Sequence, residues 1–230
     1  MSDFRFQTTM APPYVMASWY KIDSPGKDIK VYIEDDGISL TAQEAENPTP
    51  QNTFLRKIAA DDPYANVAYI ARPCQYIQAG SCSKADWDQG RYSDKVIKSM
   101  EQSLWAMMKK AKAERAVLIG YGGGAQIAGM IAVRNPGKIK TVVTIAGILD
   151  HRAWTQYHNA PALSKSLNLK DKKTQFSKID QKHFAGGRDE VVPPALIQEF
   201  VVDDTTIIVI PKATHERGYD KIYDVIYRMN

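Results

Sequence analysis

The stretch Ala116-Val117-Leu118-Ile119-Gly120-Tyr121-Gly122-Gly123-Gly124-Ala125-Gln126-Ile127-Ala128 runs from an apolar strand through a glycine turn directly into an apolar helix. Outward from it, short β-branched runs alternate with helical patterns, which reads as an α/β chain with a mostly parallel sheet. Upstream, strands are predicted at Tyr14–Ile22, Asp28–Ile33 and Val67–Ala71, with a polar loop over 34–52 and a short helix at Thr53–Ala60. Ser93 is placed to cap a helix whose apolar residues Val96, Ile97, Met100, Leu104, Met107, Met108 and Ala111 follow helical spacing. Downstream, the helix Ala125–Arg134 stops at Asn135-Pro136-Gly137, and the strand Thr141–Ala146 follows. The strand His183–Ala185, the helix Pro194–Val201, the strand Thr206–Ile210 and the helix Tyr219–Met229 complete the pattern. Residues 1–230 read as one domain, and the polar, basic and aromatic stretch 150–182 as a cap-like excursion from it.

Gly120-Tyr121-Gly122-Gly123-Gly124 has every feature of the strained strand-to-helix turn G-x-S-x-G except its serine. No serine occurs between Ser103 and Ser164, so no neighbour substitutes by a one-residue slip. Glycine adopts the strained backbone of such a turn freely, so the fold is kept while the nucleophile is lost. Empty space is expected above Gly122, and a serine returned there is expected to react with a fluorophosphonate probe. The same residues also fit a dinucleotide fingerprint, Gly120-x-Gly122-x-x-Ala125, with Asp150 as its ribose acid. That aspartate lies farther along than the roughly 20 residues expected, and the motif falls mid-chain rather than in a first βαβ unit.

Two later segments bear on the choice. In His183-Phe184-Ala185-Gly186-Gly187-Arg188-Asp189 an aspartate follows a strand end, and in Thr206–His215 a histidine follows the next strand. The order is nucleophile position, Asp, His, each at the end of a strand where open α/β sheets build their sites. His215 would act as general base and Asp189 would fix its tautomer, with Asp150 as the alternative acid. His183 sits inside a strand and reads as structural. His151, His158, Trp87, Trp154 and Tyr157 read either as lining an entrance or as ordinary surface and packing residues.

Net charge is +4, with 44 % hydrophobic and 24 % charged residues. That composition is globular, and the charge falls short of the concentrated positive field of a nucleic-acid binder. No apolar run reaches the roughly 18 residues that span a bilayer, and Met1–Phe6 does not open a signal peptide. The two cysteines, Cys74 and Cys82, cannot by themselves make a tetrahedral metal site. They either close a short loop as a disulfide, implying an oxidising compartment, or remain separate thiols.

In Val31–Gly37, Ala71–Tyr76, Gly120–Ala125, Ala146–Asp150 with Trp154, and Phe184–Pro194, the chain resembles bacterial α/β-hydrolases, serine hydrolases that are often exported. The resemblance covers most of the length and implies an α/β-hydrolase fold without a cofactor or metal, acting on a small ester or amide. It also implies a nucleophile at the Gly122 position, an acid at Asp189 and a base at His215. Oxyanion donors would lie near Gly37 and Ile38 and at Gly123. There are two departures: Gly122 stands for the serine, and Asp35 stands where such proteins usually carry glycine. A carboxylate so placed opposes a developing oxyanion. The expectation is therefore a serine-hydrolase scaffold without its nucleophile. The alternatives are a non-catalytic protein that binds a ligand or partner, and a dinucleotide binder. A periplasmic or secreted location accompanies the resemblance.

Overall fold

A computed structural model describes residues 4–37, 46–219 and 222–228. Strands β1 (Arg5–Ala11), β2 (Tyr14–Ile22), β3 (Ile29–Ile33), β4 (Asn66–Ile70), β5 (Ala116–Tyr121), β6 (Ile139–Ile145), β7 (Asp180–Gly186) and β8 (Ile207–Ile210) form one sheet. Their spatial order is β1-β2-β4-β3-β5-β6-β7-β8. β2 runs antiparallel to both β1 and β4, and the other pairs are parallel. Helices α1 (Phe54–Asp61), α2 (Asp94–Ala111), α3 (Gly124–Arg134), α4 (His151–Tyr157), α5 (Lys173–Phe176), α6 (Pro194–Phe200) and α7 (Tyr223–Arg228) connect them.

The central strands are apolar on both faces because both faces are covered. Val31, Ile33, Leu118 and Val142 pack with Met100, Leu104, Ile127 and Phe200, against α2, α3 and α6. The alternate residues Tyr32, Val117, Ile119 and Val143 pack with Leu55, Ile58 and Ile226, against α1 and α7. Parallel pairing sets the carboxyl ends of β3, β5, β6, β7 and β8 along one rim, where the loops that follow them gather.

The elements depart from the sequence expectations in several places, among them the last helix, which begins at Tyr223 rather than Tyr219. β1 had no counterpart: as an edge strand it buries little besides Ala11, so its alternation is faint. β7 begins at Asp180, because its exposed polar start still pairs with Thr141–Val143 of β6. Ser93 stands at the start of α2, but its side chain makes no capping bond. Within the excursion, Leu163, Leu169 and Phe176 join the first core, and Leu169 is seated against Gly129 of α3. Cys74 and Cys82 form a disulfide with their Cα atoms 5.8 Å apart. Among the described residues, no helix is long and apolar enough to cross a membrane.

A buried lysine holds the last helix to the sheet. Lys30 Nζ, in β3, donates to the carbonyls of Ile226 (2.7 Å) and Tyr227 (3.0 Å) near the end of α7 and lies 3.6 Å from the Asp62 carboxylate. The cation satisfies carbonyls that a helix end leaves unpaired. Lys30→Met removes it and leaves Asp62 buried, so a loss of about 3 kcal/mol is expected in urea unfolding. An unchanged midpoint would show that the lysine contributes nothing there.

Candidate active site

At the rim, β5 enters the turn at Gly122, which has φ +51°. The three glycines of this turn are pressed against the end of β3 and the residues after it. An ideal Cβ would lie 2.1 Å from Asp35 Oδ1 on Gly122, 2.3 Å from Asp36 Oδ1 on Gly123 and 2.2 Å from the Ile33 carbonyl oxygen on Gly124. Only hydrogen fits at each position, which accounts for a run of three. The expected open space above Gly122 is not found, because the Asp35 carboxylate fills it.

One oxygen of the Asp35 carboxylate is held by the turn and the other faces His215. Oδ1 accepts a 2.6 Å hydrogen bond from the Gly123 N–H, and Oδ2 lies 4.0 Å from His215 Nε2. The opposite side of the imidazole faces Asp189, with Nδ1 3.0 Å from Oδ2. The ring therefore spans from Asp189 to the carboxylate above Gly122. Asp189 is fixed by its other oxygen, Oδ1, which accepts from the Val191 and Val192 N–H groups at 2.8 Å each. Trp154 and His158 both hydrogen-bond the Val191 carbonyl at 2.8 Å, so they pin the aspartate's loop rather than line an entrance. Tyr121 donates to the His215 carbonyl at 3.2 Å, and its ring lies 5.2 Å from the imidazole. No sequence signal marked Tyr121 or Trp154 as positioning residues, because each acts through a backbone carbonyl far away in the chain.

Charge is concentrated here. Glu34, Asp35 and Asp36 follow β3 in succession. Burial alone would lower the His215 pKa, but the hydrogen bond to Asp189 and the nearby charge of Asp35 outweigh it and leave it raised. Burial and then the neighbouring Asp36 raise the Asp35 carboxyl, while His215 and the Gly123 N–H oppose them. Burial also pushes Glu34 up to about 7, against the hydrogen bonds it accepts from Tyr69 (2.5 Å) and the Asp35 N–H (2.8 Å). Among the described residues, no three His, Cys, Asp or Glu side chains are disposed to hold a metal ion.

The Glu34 shift has a consequence for stability. Between the ordinary value of 4.5 and about 7, the folded chain holds this proton more often than the unfolded chain does. Stability contributed by the protonated carboxyl is therefore present in full below 4.5 and lost as pH rises toward 7. Glu34→Gln is expected to flatten that descent, measured as Tm across the window. An equally steep descent in the variant would assign it to another group.

The other residues singled out in the sequence lie elsewhere. Asp150 caps α4, accepting from the Arg152 and Ala153 N–H groups at 3.1 and 3.3 Å and from Asn168 Nδ2 at 2.7 Å, so it does not face His215. Gly37, with φ +71°, packs beneath the Pro48 carbonyl, and the residue this loop brings onto the glycine turn is Asp35 instead. Ile38 lies outside the described residues. His151 is buried against Tyr92, and His183 is bonded to Thr144 and Gln181, its pKa pushed down to about 4 by burial. Tyr157 is exposed, and Trp87 packs against the first core. A cavity of about 470 Å³ lined in part by Met130, Arg134 and Lys172 opens at the far end of α3 from the glycine turn.

No family model matches the sequence, and no curated protein matches it. Solved structures do. An acylaminoacyl peptidase from Pyrococcus horikoshii superposes with a TM-score of 0.68 at 13 % identity, over 98 % of this chain and 40 % of the peptidase. This chain thus spans less than half of that enzyme. An esterase from Pyrococcus furiosus gives 0.66 at 14 % identity, covering 98 % of this chain and 91 % of the esterase. A serine hydrolase without a lid from Xanthomonas campestris gives 0.60 at 12 % identity, covering 99 % and 91 %. The sheet order and these superpositions show that the chain has the α/β-hydrolase fold.

Proposed function

We propose that this chain is a hydrolase scaffold for small ester or amide substrates from which serine acylation has been removed. The observation that carries this reading is the His215 imidazole, bonded to Asp189 on one side and facing the glycine turn on the other. A histidine oriented by an aspartate toward a strand-to-helix turn is the acid–base half of nucleophilic acyl transfer. The Gly123 N–H, next to the missing nucleophile, stands at the oxyanion-donor position of such a turn but is taken up by Asp35 Oδ1, a second obstacle to acylation. Neither group forms an acyl intermediate without a nucleophile, and Gly122 has no side chain. The esterase and hydrolase names of the superposed structures support the substrate class.

A dinucleotide at the same turn is disfavoured, because the Asp35 and Asp36 carboxylates stand where a pyrophosphate would approach. The Cys74–Cys82 disulfide supports a periplasmic or extracellular location.

The test is exposure of the folded chain to a fluorophosphonate probe, followed by intact mass and peptide mapping. No adduct is expected. Stoichiometric labelling of a serine would overturn the loss of serine chemistry.

A further inference from the structure

The geometry points to a replacement nucleophile: we propose that Asp35 attacks from the opposite side of the turn, on alkyl substrates that carry an anionic leaving group. This goes beyond the loss of serine acylation, which stands or falls on its own test.

Gly122 and Asp35 are complementary. One has no side chain, and the other puts its carboxylate where a side chain on residue 122 would begin, 2.1 Å from an ideal Cβ. The carboxylate is also oriented. Its Oδ1 is engaged by Gly123, while Oδ2 faces His215 at 4.0 Å, beyond direct hydrogen-bond reach. The side chain is 23 % exposed at the rim. Carboxylates are established covalent nucleophiles, and one with Oδ1 fixed and Oδ2 turned toward an oriented histidine has the required parts.

The Gly123 N–H selects the electrophile. It already binds Oδ1, so a substrate carbonyl oxygen finds that donor occupied and its developing charge unsupported. Displacement at saturated carbon builds no oxyanion and needs only Oδ2. In the first step, the Oδ2–carbon bond forms as the bond to the leaving group breaks, and that group departs with the electron pair. Asp35 is then an alkyl ester whose carbonyl oxygen, Oδ1, already sits on the Gly123 N–H. In the second step, His215 Nε2 takes a proton from water, the oxygen bonds to Cγ, and the charge on Oδ1 is met by Gly123. Collapse breaks Cγ–Oδ2, and the alcohol leaves with that oxygen and the proton from His215. Asp35 then releases the second proton of that water to solvent and regains its carboxylate with one oxygen from water. The sum is alkyl halide plus water giving alcohol plus hydrogen halide, with no redox step.

The experiment uses the full chain with benzyl bromide and 1-bromohexane as probes. In the His215→Gln variant the first step is retained and the second is blocked. An alkyl ester is therefore expected to accumulate on the peptide containing Asp35, at least about tenfold faster than on any other carboxyl of the chain. As a second measurement on the unsubstituted protein, one turnover in heavy-oxygen water with protein in excess should give alcohol carrying light oxygen and leave heavy oxygen in Asp35. Asp35→Asn should abolish both signals. Alkylation of Asp35 no faster than of other carboxyls, together with no heavy oxygen in Asp35, would overturn the proposal. Heavy oxygen in the first-turnover alcohol would overturn it too, showing direct attack by water.

Discussion

A Gly122→Ser variant is expected to stay unlabelled by a fluorophosphonate, whereas Asp35→Gly combined with Gly122→Ser is expected to be labelled and to hydrolyse a small activated ester. The reason is space first. A serine Cβ at 122 would lie 2.1 Å from Asp35 Oδ1 and 2.5 Å from its Cγ, closer than atoms can approach. Serine would also take the φ of +51° at a strain of about 1–3 kcal/mol. Electrostatics adds to this, because Asp35 would still bind the Gly123 N–H and stand as an anion where the oxyanion must form. Removing Asp35 clears the volume, frees the donor and leaves His215 with Asp189. Losing a triad nucleophile costs on the order of 10⁶ in kcat, so a large part of that range is available to the double variant and almost none to the single one. The measurement is labelling rate and p-nitrophenyl acetate turnover in both variants, with circular dichroism to confirm folding. Equal labelling of the two would show that Asp35 does not guard the site, and an inert, folded double variant would show that the remaining machinery is not competent.

That prediction reverses the one the sequence suggested, and the reversal marks where sequence reading stopped. The parallel strands were legible because β3, β5 and β6 are buried on both faces and read as continuous apolar runs. Asp189 and His215 were legible as a pair because each follows a strand end, and parallel strands deliver their ends to one rim. Asp35 was visible only as a departure from glycine in a resemblance. Its position depends on how the end of β3 packs on the turn after β5, a contact between residues far apart in the chain, and no local pattern encodes that. The glycine run gives the same lesson from the other side. Gly122–Gly124 read as the signature of a turn, yet each is required by a specific neighbour in Ile33–Asp36. Lys30 was illegible for a different reason: a lysine within a buried strand looks like an interruption until the carbonyls at the end of α7 are seen to receive it.

The placement of Asp35 itself rests on its neighbour, and Asp36→Ala is expected to be the most damaging single change near the rim. Asp36 accepts from Arg72 Nη1 at 2.7 Å, Arg91 Nη1 at 3.3 Å and the Tyr92 hydroxyl at 2.5 Å, and all four side chains are largely removed from solvent. Truncation leaves two buried guanidinium groups without their shared counter-ion, a defect worth about 3–5 kcal/mol. Burial alone would raise the Asp36 carboxyl, but the two arginines and Tyr92 outweigh it and hold it below the usual carboxylate range. Its contribution is therefore present above the unfolded value and is lost as pH falls through the folded one, on the acid side of the stability curve. Asp36→Ala should lower the urea midpoint at neutral pH and make the acid limb shallower than in the unsubstituted chain. It should also weaken any signal that depends on Asp35, because the loop after β3 has lost the anchor that presses Asp35 onto the glycine turn. If the midpoint and the acid limb are both unmoved, the arginine cluster does not hold this loop, and the position of Asp35 must be set by its own bonds to Glu34, Gln75 and the Gly123 N–H.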